Sequence, residues 1–444
     1  MAMGATIRVG CGAGFAADRI EPALVLAEHG SLNYLALECL GERTVALAQL
    51  RRHRDPNAGY DVLLERRMNG LLPLIKRNSI RLLTNMGAAN PLAAAAKVVE
   101  LARQQGIHVR VAAITGDDVL NILDLDQPTL ETSEKLRSIG QIVSANAYIG
   151  IDALLPALAG GADIIIGGRI ADPSLFLAPL VHHFGWALDD HDRLARGTVV
   201  GHLLECAGQL TGGYFADPGK KDVPEMARLG YPFADVDAEG SARFGKVAGT
   251  GGLISVATAT EQLLYEVTDP SAYYTPDVIA DFSTTNLQQI ERDVIETSGA
   301  RGKPRSPHLK VSVGYHAGYL GEAEIGYAGE NCVARARLAA EIITERLKPH
   351  LQELRVDVVG LTALHSRTMS PEDNYCPYEA RLRVAGRSLD AAHAGLIGEE
   401  VEGLYTNGPA GGGGARRSVS EQIGILSCFV PREQVVTQVT YFES

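Results

Sequence analysis

Residues 80–115 read IRLLTNMGAANPLAAAAKVVELARQQGIHVRVAAIT, and this stretch decides the fold class. Ile80–Asn85 is a short apolar run that stops at a polar residue, as a buried strand does. Asn90 followed by Pro91 is a helix start: the amide side chain caps, and proline fits the first turn, where no N–H is needed. Pro91–Gln105 then repeats apolar residues at helical spacing, and Val109–Thr115 is a second apolar run. Strand, helix and strand in this spacing predict a parallel βαβ unit.

The same alternation extends in both directions. Further strands are predicted at Thr6–Gly10, Asn33–Glu38, Gln141–Ala145 and Asp163–Gly167. Helices are predicted near Ile20–His29, Glu42–His53, Asp61–Lys76, Ile151–Leu158 and Ser174–Phe184. About six βα units result, which imply a mostly parallel, open, doubly wound α/β sheet. They are too few for an eight-stranded barrel. The texture changes after Thr211-Gly212-Gly213, and the region 212–252 reads as loops because it is rich in Gly, Pro and Asp. Strands are then expected at Leu253–Thr258, Val278–Phe282, Leu309–Tyr315, Glu322–Tyr327, Val356–Leu361 and Glu379–Ala385, with two more within Arg417–Phe442. Helices are expected at Cys332–Leu347 and Leu389–Glu402. The expected division is therefore an α/β domain over 1–211 and an α+β domain with a mixed or antiparallel sheet over 212–444.

The 444 residues carry a net charge of −12, which argues against a nucleic-acid partner, since phosphate binding wants a basic face. Cys11, Cys39, Cys206, Cys332, Cys376 and Cys428 are scattered, without a CxxC pair or zinc spacing. The stretch MAMGATIRVG has no signal-peptide pattern, and no apolar run reaches the length of a membrane span. A cytoplasmic protein with reduced thiols and no membrane partner is expected. A homo-oligomer is expected on general grounds.

Two glycine runs and a set of strand-end residues are the site candidates. Gly10, Gly12 and Gly14 form a glycine-rich turn after the first strand, where backbone N–H groups can approach an anion. The spacing departs from GxGxxG at Phe15, so a dinucleotide, another anion and a plain tight turn all stay open. In an open α/β sheet, ligands bind beyond the carboxyl ends of the strands. The residues expected there are Asp18, Arg19, Glu38, Asn85, Asp117, Asp118, Asn146, Arg169 and Asp172. One of Asp117 and Asp118 is expected to cap the helix starting at Val119. The pair can also supply acid/base chemistry with Glu38 in support, or hold Mg²⁺ with Glu38 or Asn146. Arg169 suits a carboxylate or phosphate, or a salt bridge to a neighbouring Asp. Asp172, before Pro173, can be a cap. Cys206 shares a helix face with His202 and reads as an activated thiolate or a buried thiol. Gly251 lies in a second glycine loop that lines the cleft or simply turns. The run Gly408–Gly414 before Arg416-Arg417 is a lid or a plain connection, and Lys310 is expected in solvent.

In order along the chain, GCGAGFAADRI, LECLGERT, TNMGAANP, TGDDV, ANAYIG, GGRIADPSL, HLLECAGQLTGG and GTGG resemble the acyclic terpene utilisation protein AtuA-type family. EQLLYEVTDP, TPDVIADFS and SGARGKPR are similar to it too, so the resemblance covers nearly the whole chain. It implies a role in catabolism of acyclic terpenes and related branched acids, which runs through acyl-CoA thioesters. It assigns no catalytic residue. The expectation is a hydratase- or lyase-like enzyme acting on a carboxylate or acyl-CoA thioester. Asp117, Asp118 and Glu38 would act as acid and base, with Arg169 and the Gly10–Gly14 loop on the anionic end. The alternative is a non-catalytic ligand-binding or partner subunit.

Overall fold

This computed structural model describes residues 6–351, 353–364 and 377–444; Cys376 lies outside them. The chain forms two compact units, residues 1–314 with 425–444 and residues 315–424. The change of texture at 211/212 is therefore not the division. Several segments after it complete the first unit's sheets.

The first unit opens with β1 (Ile7–Ala13), α1 (Glu21–His29), β2 (Tyr34–Leu37), α2 (Glu42–Arg54), α3 (Leu64–Arg77), β3 (Arg81–Thr84), α4 (Pro91–Gln104) and β4 (Arg110–Thr115). It continues with β5 (Ile142–Ala147), α5 (Ile151–Ala159), β6 (Ile164–Ile166), α6 (Ser174–Phe184), α7 (His191–Glu205), β7 (Pro232–Val236), β8 (Ala242–Lys246) and α8 (Val256–Leu264). Then come β9 (Tyr273–Tyr274), β10 (Ile279–Asp281), β11 (Asn286–Glu291), β12 (Val294–Ser298), β13 (Arg301–Lys303) and the start of β14 (His308–Ala328). The second unit contains α9 (Cys332–Leu347), β15 (Glu353–Val359), β16 (Glu379–Ser388) and α10 (Ala391–Asn407). The chain returns to the first unit within β17 (Gly413–Pro431) and ends with β18 (Gln438–Glu443).

The βαβ reading of residues 80–115 holds at the level of its elements. Asn90 Oδ1 accepts the Ala93 N–H at 3.3 Å, so the predicted cap starts α4. The main sheet has ten strands in the order β11-β12-β8-β7-β1-β2-β3-β6-β4-β18. Its centre, β1-β2-β3-β6-β4, is parallel, with Leu83 facing Ile165 and Ala112 facing the same residue from the other side. These strands are largely apolar and buried, with Arg8, Arg81, Arg110 and Thr115 the partly exposed positions near their ends, as a covered parallel sheet requires. Antiparallel strands extend both flanks, so the sheet is mixed rather than mostly parallel. The predicted fifth strand is absent from it: β5 pairs with β14 instead.

Two more expectations need correction. The region 212–252 is not all loop, because β7 and β8 lie in it with alternating burial. Leu253–Thr258 is not a strand. Ser255 and Thr258 form a reciprocal capping box that starts α8, and that local pairing overrides the β-branched run. In the second unit β15, β16, β14 and β17 pair in that order. Its own core is built from residues such as Ile325, Ile343, Leu382, Val384 and Ile397. The two strands expected at 309–315 and 322–327 are one continuous β14. Gly408–Gly412 connects α10 to β17 within this unit, where Arg335 Nη1 holds the Ala410 carbonyl at 2.7 Å. Among the described residues no helix is long and apolar enough to cross a membrane.

Candidate functional site

Four neighbouring parallel strands, β2, β3, β6 and β4, end side by side, and each hands a polar residue to the loop beyond it: Glu38, Asn85, Arg169 and Asp117. Parallel pairing is the reason, since it puts all the carboxyl ends on one edge. Asn85 joins the first two. Its Nδ2 donates to Glu38 Oε1 at 3.0 Å, while its Oδ1 accepts from the Cys39 N–H at 2.7 Å. Glu38 Oε1 also accepts from the Leu40 N–H at 2.8 Å. Burial, aided by the like charge of Asp172, pushes the Glu38 carboxyl up to about 8, against the pull of those hydrogen bonds and Arg169. Glu38 is thus predominantly a protonated acid at pH 7.

Arg169 is buried beside it. Its Nη1 donates to the Leu40 carbonyl at 2.7 Å and to Asp172 Oδ1 at 3.4 Å. The guanidinium carbon lies 4.4 Å from the centre of the Tyr148 ring, a cation–π arrangement. Its Nε is buried without a hydrogen-bond partner among the described residues. Asp172 is half-buried, and its N–H donates to Tyr148 Oη at 2.9 Å. Burial raises its carboxyl above the usual range, Arg169 and Tyr148 pull it back, and Glu266 and Glu42 raise it further. Glu42 itself is held down by Lys310 Nζ at 2.8 Å, which outweighs its own burial, so Lys310 is paired rather than simply solvated.

Asp117 and Asp118 stand in different surroundings. Asp117 is buried; its Oδ2 accepts from Asn146 Nδ2 at 2.9 Å and from the Arg169 N–H at 2.9 Å. Asp118 is exposed and accepts from the Leu120 N–H at 3.3 Å and from Gln49 Nε2 at 3.2 Å, but the expected helix at Val119 is only a three-residue 3-10 turn, Leu120–Ile122, which no side chain caps. The expected joint acid/base pair therefore resolves into a buried scaffold residue and a surface residue in a local turn. Among the described residues Asn146 Oδ1 is buried without a hydrogen-bond partner.

The glycine run is not a strand-to-helix turn. Gly10 and Gly12 lie inside β1, where Gly10 is paired with Leu35 on one side and Phe233 on the other. A Cβ on Gly12 would sit 2.5 Å from Leu37 Cδ2 and 3.2 Å from Ala23 Cβ, so this glycine serves helix–sheet packing. A Cβ on Gly14 would sit 2.4 Å from the Glu205 carbonyl oxygen, where the chain after β1 crosses the end of α7. The Gly14 N–H is bonded to Asp18 Oδ2 at 2.7 Å, and α1 begins only at Glu21. Arg19 is exposed and holds the Ala227 carbonyl at 3.1 Å. Gly251 bonds Arg228 and Gly230 through its backbone, which makes it a packed turn. Neither Arg19 nor Gly251 bonds to the strand-end row.

Cys206 follows α7, and burial, with Glu205 next, raises its thiol far above the ordinary range, so the activated-thiolate expectation fails on electrostatics. His202 pairs with Glu205 rather than Cys206: Nδ1 and Oε1 are 2.8 Å apart. The other described cysteines are also free. Among the described residues no three His, Cys, Asp or Glu side chains form a group able to hold a metal ion. Glu38 accepts from Asn85 and Leu40, and Asp117 accepts from Asn146 and Arg169.

A cleft of about 1060 Å³ lies alongside, lined by Phe215, Lys221, Leu253, Leu264, Tyr265 and Glu266. Glu266 belongs to both places, since its charge acts on Asp172 and Glu205. Tyr148, Tyr273 and Glu266 are site residues that the sequence reading passed over. Tyr148 had a signal, lying just after Asn146 in ANAYIG; Glu266 and Tyr273 reach the site through folding of a distant segment.

Residues 7–441 match the family model described as acyclic terpene utilisation family protein AtuA, and the chain belongs to that family. No curated protein and no solved structure matches the chain.

Proposed function

We propose that this AtuA-family chain is a catabolic enzyme that acts on a carboxylate or acyl-CoA thioester by acid/base chemistry of the hydratase or lyase kind. Membership of the family suggests a role in acyclic terpene utilisation. The observation that carries the chemical reading is the placement of an acid held toward its neutral form, Glu38, and a buried cation, Arg169, on the ends of β2 and β6, with only β3 between them. Arg169 would hold the carboxylate or the developing negative charge of a thioester carbonyl. Glu38 would donate a proton to a leaving hydroxyl, and Asp172, whose carboxylate form Arg169 and Tyr148 favour against its burial, would accept one. Burial raises both carboxyls, and the closer pairing of Asp172 with Arg169 is what would let it serve as the base while Glu38 serves as the acid. The cleft reaching Glu266, with its Leu253, Leu264 and Phe215 lining, supports a substrate with an apolar portion.

The experiment is thermal denaturation of the full chain against short carboxylic acids and acyl-CoA thioesters, with Arg169→Lys as the control. A ligand that binds only the folded state raises the midpoint by mass action. The expected result is a rise with one of these classes, lost in Arg169→Lys, and turnover of that compound lost in Glu38→Gln with binding kept. Binding undiminished in Arg169→Lys, or turnover undiminished in Glu38→Gln, overturns the assignment.

A further inference from the structure

The end of α7 holds a second pair of titratable groups with a different geometry. His202 is 1% exposed and Glu205 is 7% exposed, three residues apart on one helix face. His202 Nδ1 and Glu205 Oε1 are 2.8 Å apart. Among the described residues the other ends of both side chains are poorly satisfied: His202 Nε2, Glu205 Oε2 and Gln262 Oε1 are buried without a well-formed hydrogen bond, with only the backbone of Leu263 and Gln262 facing the imidazole. Gln262 Nε2 holds the His202 carbonyl at 2.9 Å, which ties α8 to α7 at this point. The imidazole is enclosed by the rings of Tyr273 and Phe282, at centroid distances of 5.0 and 5.3 Å.

Such surroundings bear on the charge of the pair. An imidazolium–carboxylate pair in an enclosed apolar setting needs its remaining proton and lone pairs satisfied, or desolvation exceeds the Coulomb gain. Here those atoms are poorly satisfied. A neutral carboxylic acid and neutral imidazole joined by one O–H···N bond avoid that cost. The acids facing the pair favour a protonated Glu205; they also favour a proton on His202, where burial outweighs them. Asp172 and Glu266 act on both members, and Cys206, Tyr148 and Tyr273 also feel Glu205 or its neighbours. The acids disfavour a further carboxylate. Burial pushes Glu205 well above the usual carboxylate range and His202 down to about 4.

We infer that His202 and Glu205 form a neutral couple that stores one proton on Glu205 and holds it as a second acid O–H beside the Asp172–Arg169 site. The proton sits on Oε1 and is donated to Nδ1; the ring carries its own proton on Nε2, turned to the last residues of α8. Transfer of the stored proton breaks one O–H bond and forms one N–H bond, with no change in total charge and no further reactant. His202 is a positioning residue here, since it fixes the direction of the Glu205 O–H. Use of that proton in turnover rests on the acid/base reading above; its location does not.

The test is spectroscopic and uses the full chain without a substrate. With ¹⁵N-labelled histidine, the His202 signals, assigned through their loss in His202→Gln, should show one protonated and one bare nitrogen, unchanged from about pH 5.5 to 8. Infrared difference spectra of wild type against Glu205→Gln should contain the carbonyl stretch of a protonated carboxylic acid at pH 7. The Glu205→Gln variant should keep both the bare Nδ1 and the melting temperature, because its amide donates as the acid does. An imidazolium at pH 7, no acid carbonyl band, or a Glu205→Gln variant in which His202 loses its bare Nδ1 overturns the inference. If His202→Gln does not fold, the infrared band and the Glu205→Gln melting temperature still decide it. A failure of carboxylate or thioester binding in the earlier experiment leaves these signals untouched, so the two readings fail separately.

Discussion

The strand ends of the first unit and the sheet of the second use the same residue types for opposite purposes. In the second unit Arg381 meets Glu324 across neighbouring strands at 3.2 Å, and Arg346 and Arg383 pair with Glu400 and Glu322. Each of these arginines is more than 40% exposed, so water solvates either protonation state and the pairs contribute little. In the first unit Glu38, Asp117 and Arg169 are buried. Each polar atom there either has an assigned partner or is costly, and protonation states move. Burial, and not residue type, separates a charged surface from a chemical site.

The comparison can be broken by substitution, beginning where the effect is largest. Asp117→Ala removes the acceptor for both Asn146 Nδ2 and the Arg169 N–H. Two buried donors then lack partners, and a loss of roughly 3–4 kcal/mol is expected in denaturant unfolding, at about 1–3 kcal/mol for each. A loss below about 1 kcal/mol would mean that the strand-end row is no more demanding than the surface pairs.

Glu38 sharpens the comparison through pH. Its folded value, about 8, is above the ordinary 4.5, so the native state binds the proton more tightly. Its contribution is therefore fully present below about pH 4.5 and is lost as pH rises through 8. The fall across that window is on the order of 3 kcal/mol, and Glu38→Gln should flatten it. An unchanged slope in the variant would place the titration elsewhere.

Smaller effects mark the boundary between the two kinds of region. Asn90→Ala removes the α4 cap, and about 1 kcal/mol is expected by thermal unfolding. Arg381→Ala should change stability by less than about 0.5 kcal/mol, with the remainder sensitive to salt. A larger loss there would show that the second unit's surface pairs act as a network.

The sequence made the strand-end row legible because parallel pairing brings carboxyl ends together whatever the distance along the chain. Glu38, Asn85, Asp117 and Arg169 could be named for that reason alone. What each does depended on which way its side chain turned. Asp117 and Asp118 are neighbours of identical composition, yet one points into the protein and the other bonds a surface turn. The glycine run misled because glycine serves close packing as well as anion approach. Glu266, though it lies within EQLLYEVTDP, and Tyr273 were passed over because neither follows a strand of the parallel row, and both reach the site only through long-range contacts. The unit boundary was hidden because β14 and β17 are continuous strands with no break in pattern where the chain changes unit.

The position of β18 bears on synthesis. It pairs along the whole of β4, from Gln438 opposite Thr115 to Glu443 opposite Arg110. A ribosome therefore makes more than three hundred residues between the two halves of this one ladder. Until residues 438–443 emerge, β4 offers an unpaired row of backbone groups at the edge of an otherwise apolar sheet, the kind of edge to which another chain can add. Nascent copies of this protein on one message are expected to depend on an edge-shielding chaperone for longer than their size alone suggests.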